Sequence, residues 1–226
     1  MARVVLHQWE IAPYCGKVRK ILSLKGIAYD VENYNGLRAP KAAALTTAGK
    51  LPVLDWDGEW IADSTAIAVF LDQRQPLPAL YPADPRDAAM ARMLEDWADE
   101  SLYYFAMFFR VQYDDAMSRS VALLCEGRPA WERPVFRPIF SRMIRRKLRE
   151  HGFSGRTREQ IEADFVRHLD DLETVLRGCD WLVGDSQSIA DIAVSAQIDE
   201  VVRTSHLAGR IRSLPGISKW LARMAG

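Results

Sequence analysis

Pro76, Pro78, Pro82 and Pro85 crowd into the stretch QPLPALYPADPR, and no helix or strand can run through them. Proline has no backbone donor for either ladder, so regular structure must stop there and start again beyond it. Before this break, strand-like and helical patterns alternate; after it, only helical patterns recur. The chain is therefore predicted as two domains, residues 1–75 and 87–226, joined by a linker over 76–86. Its 226 residues, 49% of them hydrophobic, are enough to bury a substantial core.

In the first half, residues 3–8 form a short apolar run that reads as a buried strand. Pro13 then stands where a first helical turn tolerates it, and Val18, Ile21 and Leu22 continue that helix. Residues 27–31 read as a second strand, and 39–48 as a short helix opened by Pro40. PVLDW and EWIA follow, joined by Asp57-Gly58, a dipeptide suited to a tight hairpin whose two central residues both take positive φ. Ser64 to Arg74 returns to helix. Beyond Asp87, helical spacing recurs in Met90, Leu94 and Trp97, in Phe136, Phe140 and Met143, and in Ile161, Phe165, Leu169, Leu172 and Leu176. Three prolines and a glycine over residues 127–138 predict a loop between helices.

Charge and cysteine usage narrow the function classes. Thirty basic and thirty acidic side chains cancel, so no overall field draws the chain to nucleic acid or to an anionic membrane. MARVVLHQWE reaches Gln8 and Glu10 before a signal-like stretch can form, and no later run approaches a membrane span. Cys15, Cys125 and Cys179 are an odd number at wide spacing, which suits neither a disulfide framework nor zinc and points to a reducing compartment, the cytoplasm. His7, His151, His168 and His206 form no ligand-type pair, and no metal is expected.

Three segments carry chemistry. Ala12-Pro13-Tyr14-Cys15 resembles the active-site turn of the thioredoxin superfamily, where a thiol or hydroxyl at a helix N-terminus gains from the helix dipole. Gly49-Lys50-Leu51-Pro52-Val53 precedes the hairpin; in that fold the proline is cis and the residue before it pairs with a bound cysteinyl backbone as an added strand would. Asp63-Ser64 opens the next helix. Ser64 reads most simply as its N-cap, but the same helix start can hold a carboxylate while Asp63 attracts an ammonium group. A free α-amino acid end presents both charges.

Taken together, the chain resembles the cytosolic glutathione S-transferase superfamily: an α/β thioredoxin-like domain (βαβαββα, mixed four-stranded sheet) followed by an all-α helical bundle. The resemblance implies glutathione as co-substrate, with Leu51 and Pro52 at its cysteinyl backbone, Asp63 and Ser64 at its γ-glutamyl end, and Arg38 and Lys50 at its glycyl carboxylate. Asp63 stands where the family more often has Glu or Gln. In the second half, Ser188 and Asp191 within GDSQSIADI have capping-box spacing and resemble the family's buried folding motif. Tyr103, Tyr104, Phe105, Phe108 and Phe109 span an arc too wide for one core; Tyr103, Tyr104 and Phe108 are expected at an apolar site for a hydrophobic electrophile. The basic run from Arg142 to Arg149 interleaves with Met143, Ile144 and Leu148 and reads as a solvated helix face.

The first position of the turn, often Ser or Cys in related enzymes, is Ala12. Tyr14 and Cys15 remain as groups that could activate a thiol, with Cys15 slightly preferred. Three functions stay open: a glutathione S-transferase acting in detoxification, a glutathione-dependent thiol reductase using Cys15, and a non-catalytic glutathione-binding or interaction protein. The resemblance also implies a homodimer.

Overall fold

The first apolar run becomes β1 (Val4–Gln8), buried at all five positions. In the computed structural model, which describes residues 2–47, 49–153 and 155–225, it is followed by α1 (Pro13–Leu24), β2 (Asp30–Asn33), a 3-10 helix (Gly36–Ala44), β3 (Val53–Trp56), β4 (Glu59–Ala62) and α2 (Ser64–Arg74). The sheet order is β2-β1-β3-β4, with β1 and β2 parallel and the other pairs antiparallel. Leu6 and Leu54 face each other across the centre, and both are fully buried, as are Val18, Ile21, Ile67 and Leu71 of the two helices. Each such side chain contributes about 1.5–3 kcal/mol by leaving water. Asp57 (φ 51°) and Gly58 (φ 91°) both take the positive φ that a two-residue hairpin requires.

The prolines of this segment have no N–H, and a buried lysine anchors its carbonyls. Lys25 Nζ donates to Asp72 Oδ1 (2.9 Å) and to the carbonyls of Gln75 (2.6 Å) and Pro78 (2.9 Å), tying the break back to α1. Asp84 then caps α3 (Pro85–Trp97), accepting from the amides of Arg86 and Asp87, so the helix begins inside the predicted linker. A π-helical turn (Ala98–Leu102) leads into α4 (Tyr103–Gln112), followed by α5 (Asp114–Leu124), α6 (Glu132–Glu150), α7 (Arg158–Val175), α8 (Ile189–Thr204), α9 (Ala208–Arg212) and α10 (Pro215–Met224). Among the described residues, no helix is long and apolar enough to cross a membrane.

Two units emerge from these elements. One holds residues through 80 together with 121–136; the other holds 81–120 and the residues from 137 onward. The second is built around α8, buried at nearly every position from Ile189 to Val201. At its start, the Asp191 carboxylate accepts from the amides of Leu182 (2.9 Å) and Ser188 (2.9 Å), the Ser188 hydroxyl (3.0 Å) and Trp220 Nε1 (2.9 Å). Burial pushes the Asp191 carboxyl up, against these four donors, which pull it down.

Four sequence expectations need correction. The predicted loop over 127–138 is helical from Glu132, because Pro134 falls in the first turn and Pro138 lies on an exposed face, while Phe136, Phe140, Ile144 and Leu148 keep an unbroken buried stripe. The second strand is shifted to Asp30–Asn33, since pairing with β1 and not its own hydrophobicity sets its limits. Pro40 lies inside the 3-10 helix instead of opening the helix expected over 39–48; Ala48 lies outside the described residues. The aromatic arc on α4 is wide because the helix is buried on all sides: Tyr103, Tyr104, Phe105, Phe108 and Phe109 are each at most 9% exposed.

Candidate functional site

Strand register decides which loops meet. β2 runs parallel to β1, so Asn33 ends beside Gln8; Val53 of β3 stands opposite His7, and Ala62 of β4 opposite Val53. The ends of β1, β2 and β4 and the start of β3 therefore share one edge of the sheet. The adjoining segments 9–15, 34–38, 49–52 and 63–65 gather there. Tyr14, Cys15, Arg38, Lys50, Leu51, Pro52, Asp63 and Ser64 all lie in them.

α1 starts from Ala12 (φ −82°, ψ 121°), whose side chain offers the helix amides no cap. The helix start brings N–H groups and positive potential to Tyr14 and Cys15. Tyr14 is half-buried, whereas Cys15 is 0% exposed. A closed thiol of that kind behaves as a small hydrophobe; reactive cysteines keep a solvent face. The preference for Cys15 drawn from the sequence thus meets a geometric obstacle that Tyr14 does not.

Asp63, and not Ser64, is the N-cap of α2: its Oδ1 accepts from the amides of Thr65 (2.9 Å) and Ala66 (3.1 Å). Its φ of 78° is one that side-chain-bearing residues rarely adopt, at a cost of about 1–3 kcal/mol, and residues held this way cluster at functional sites. Ser64, the first residue of the helix, is buried. The Leu51–Pro52 peptide is cis, Lys50 is exposed, and Gly49 turns the chain with φ 59°.

Beside this helix start stands a lysine that no motif marks. Lys17, 1% exposed, lies on α1 between Pro13 and Ile21 at i±4 and donates from Nζ to Thr65 Oγ1 (3.1 Å). A buried ammonium next to a helix N-terminus makes two sources of positive potential at one place, which suits a carboxylate. The signal in the sequence is a lysine on an otherwise apolar helical stripe.

Arg38 pairs with Glu32 (2.5 Å) and lies 5.8 Å from the Tyr34 ring centroid. The Tyr34 hydroxyl shares a 3.0 Å hydrogen bond with His7 Nδ1, and His7 stacks on Trp60 with centroids 4.8 Å apart. Burial lowers the pKa of His7, and burial together with Glu32 raises that of Tyr34. The loop between β2 and Arg38 is held from far along the chain. Asn35 Nδ2 donates to the Glu126 carbonyl (3.1 Å), and the Leu37 amide donates to Glu132 Oε2 (3.0 Å). Residues 95 apart carry no local pattern, so sequence reasoning missed this contact.

The second unit contains the remaining candidates. Tyr104 stacks on His151 (4.1 Å) and its hydroxyl is pushed up to about 12, by burial first and then by Glu100. Lys147 Nζ lies 3.4 Å from the Tyr103 hydroxyl and above its ring, and burial lowers the lysine's pKa. Phe108, with Val111, Leu148, Phe153 and Arg149, lines a depression of about 160 Å³. That is below the ~300–1,000 Å³ usual for small-molecule pockets. Among the described residues no group of His, Cys, Asp and Glu could hold a metal ion.

Comparison with known proteins gives two family matches in the same chain. Residues 6–79 match the glutathione S-transferase N-terminal domain, and residues 157–226 the C-terminal domain of that family. A Pseudomonas putida glutathione S-transferase is 32% identical over 89 residues, covering 39% of this chain and 40% of the relative. The maleylacetoacetate isomerase of Rattus norvegicus is 32% identical over 98 residues, covering 41% of this chain and 45% of that protein. Each alignment thus spans less than half of the relative. The crystal structure of a beta-etherase from Sphingobium superposes with a TM-score of 0.71 at 21% identity, covering 99% of this chain and 95% of that one, a likeness of fold.

Proposed function

This chain belongs to the glutathione S-transferase superfamily, and we propose that it binds glutathione at the loop-bearing edge of its sheet and activates the thiol for attack on a hydrophobic electrophile. The observation that carries the reading is the pairing at the start of α2. An exposed acid held at φ 78° stands one residue before a buried serine and two before a threonine that accepts from buried Lys17. Cation, helix amides and serine suit the γ-glutamyl carboxylate; the Asp63 carboxylate suits its ammonium group. The backbone of Leu51 then takes the cysteinyl unit as an added strand, and Arg38 with Lys50 takes the glycyl carboxylate.

So placed, the cysteinyl sulfur approaches the start of α1. A free thiol with a pKa of about 8.5 is only a few per cent ionised at neutral pH. Helix amides and the Tyr14 hydroxyl favour the thiolate, and as donors they strengthen as charge develops. The burial of Cys15 and the lack of a thiol at Ala12 weigh against the thiol-reductase reading. Tyr103, Tyr104 and Phe108 are the proposed contacts for the electrophile; each is at most 9% exposed, so a ligand reaches them only once their side chains turn out of the packing. A cytoplasmic homodimer completes the reading, and light scattering reports the oligomeric state.

The test is calorimetric titration with glutathione, followed by conjugation of an aryl halide by the wild type, Tyr14→Phe and Cys15→Ser. Binding with turnover that Tyr14→Phe lowers about tenfold or more, and that Cys15→Ser spares, is the expected result. Binding without turnover leaves a non-catalytic glutathione-binding protein. Loss on Cys15→Ser alone restores the reductase.

A further inference from the structure

Glu132 opens α6, yet it is buried in the unit formed by the first eighty residues and 121–136. A buried carboxylate needs donors, and Glu132 has two kinds. Arg128 reaches both of its oxygens, with Nε 3.1 and 3.2 Å from Oε1 and Oε2 and Nη2 2.5 Å from Oε1. The Leu37 amide, 3.0 Å from Oε2, is the other. Gly36 makes the approach possible: it has φ 57°, and a Cβ there would collide with Glu132 Oε2. One residue earlier, buried Asn35 is tied to the Glu126 carbonyl. Asn35 and Leu37, on either side of Gly36, are thus bonded to the segment 126–132, and the next residue is Arg38. Beyond its pair with half-exposed Glu32, Arg38 depends on the position of this loop.

We propose that Glu132 is a positioning residue of the glutathione site: by gripping the Leu37 amide against Gly36, it aims the Arg38 guanidinium at the glycyl carboxylate. This rests on the glutathione reading above. A charge-assisted bond from a buried carboxylate holds a loop amide better than water does, and a guanidinium reads a carboxylate by planar geometry, so its gain depends on aim. Ordering these residues before the ligand arrives removes a cost from binding.

The test compares two peptides, glutathione and γ-glutamylcysteine, which lacks the glycyl unit. Both are titrated calorimetrically into the whole protein as wild type, Arg38→Ala, Glu132→Gln, Glu132→Ala and Gly36→Ala, with a thermal melt of each. The wild type should prefer glutathione, and Arg38→Ala should abolish that preference. Glu132→Ala should weaken glutathione about tenfold, and Glu132→Gln, which keeps an acceptor and the volume but not the charge, about threefold, with γ-glutamylcysteine nearly unchanged in both. Gly36→Ala should act as Glu132→Ala does. If Glu132→Ala does not fold, the isosteric Gln variant carries the comparison. Equal weakening of both peptides means that Glu132 only supports the fold, and the proposal is wrong; so does an unchanged preference. A wild type that binds glutathione with no Arg38-dependent preference sinks the proposal alone. A wild type that binds neither peptide sinks the glutathione reading and this inference with it.

Discussion

Two aspartates stand at two helix starts, and they do opposite things. Asp191, in the first turn of α8, is 0% exposed and takes four donors from three residues. Asp63, the cap of α2, is exposed, takes two amides on one oxygen, and sits at φ 78°. The first is saturated and unstrained, with no capacity left for a ligand. The second leaves an oxygen for a visitor and holds a costly backbone conformation. An identical residue type thus serves folding where burial closes it in and, on the function proposed above, recognition where strain and exposure leave it open.

The largest effect that would sharpen this contrast is on stability. Asp191→Ala strands buried donors from Leu182, Ser188 and Trp220, and should cost roughly 3–5 kcal/mol in urea unfolding, with glutathione affinity of the folded fraction unchanged. A loss below about 1 kcal/mol would mean that water replaces the carboxylate. Next, Asp63→Ala should weaken glutathione binding more than about tenfold while costing only ~1 kcal/mol of stability, the usual worth of a cap. Lys17→Met should weaken binding about tenfold by calorimetry and also lower the melting temperature, since it removes a buried donor from the Thr65 hydroxyl. Unchanged affinity would remove Lys17 from the site. The smallest effect is the sharpest: Asp63→Gly should hold or raise stability by up to ~1 kcal/mol, because glycine accepts positive φ and caps almost as well, yet lose affinity. If stability falls instead, the aspartate at 63 is structural and the comparison collapses.

What could be read in advance follows from the range of each interaction. The proline break, the Asp57-Gly58 hairpin, α2 and the Ser188–Asp191 box are local patterns, and each appears where its residues are. The proline count over 127–138 predicts a loop, but α6 follows a stripe of four buried apolar residues, because proline position matters more than number. The sequence points to Ser64 as the cap because composition does not reveal that Asp63 can be forced to positive φ. Lys17 could have been noticed as a charge on an apolar stripe. Glu132 could not, since nothing near it in sequence mentions Leu37.

The return of residues 121–136 to the opening unit bears on how the protein is made. A ribosome that has delivered all of the sheet and α2 has still not delivered Glu126 or Glu132, the acceptors for Asn35 and Leu37. The first unit therefore cannot be completed as it emerges, as a contiguous domain could. The loop at residues 35–37 must wait, with its donors in water, for about fifty further residues, which at ~5–20 residues per second is several seconds of synthesis.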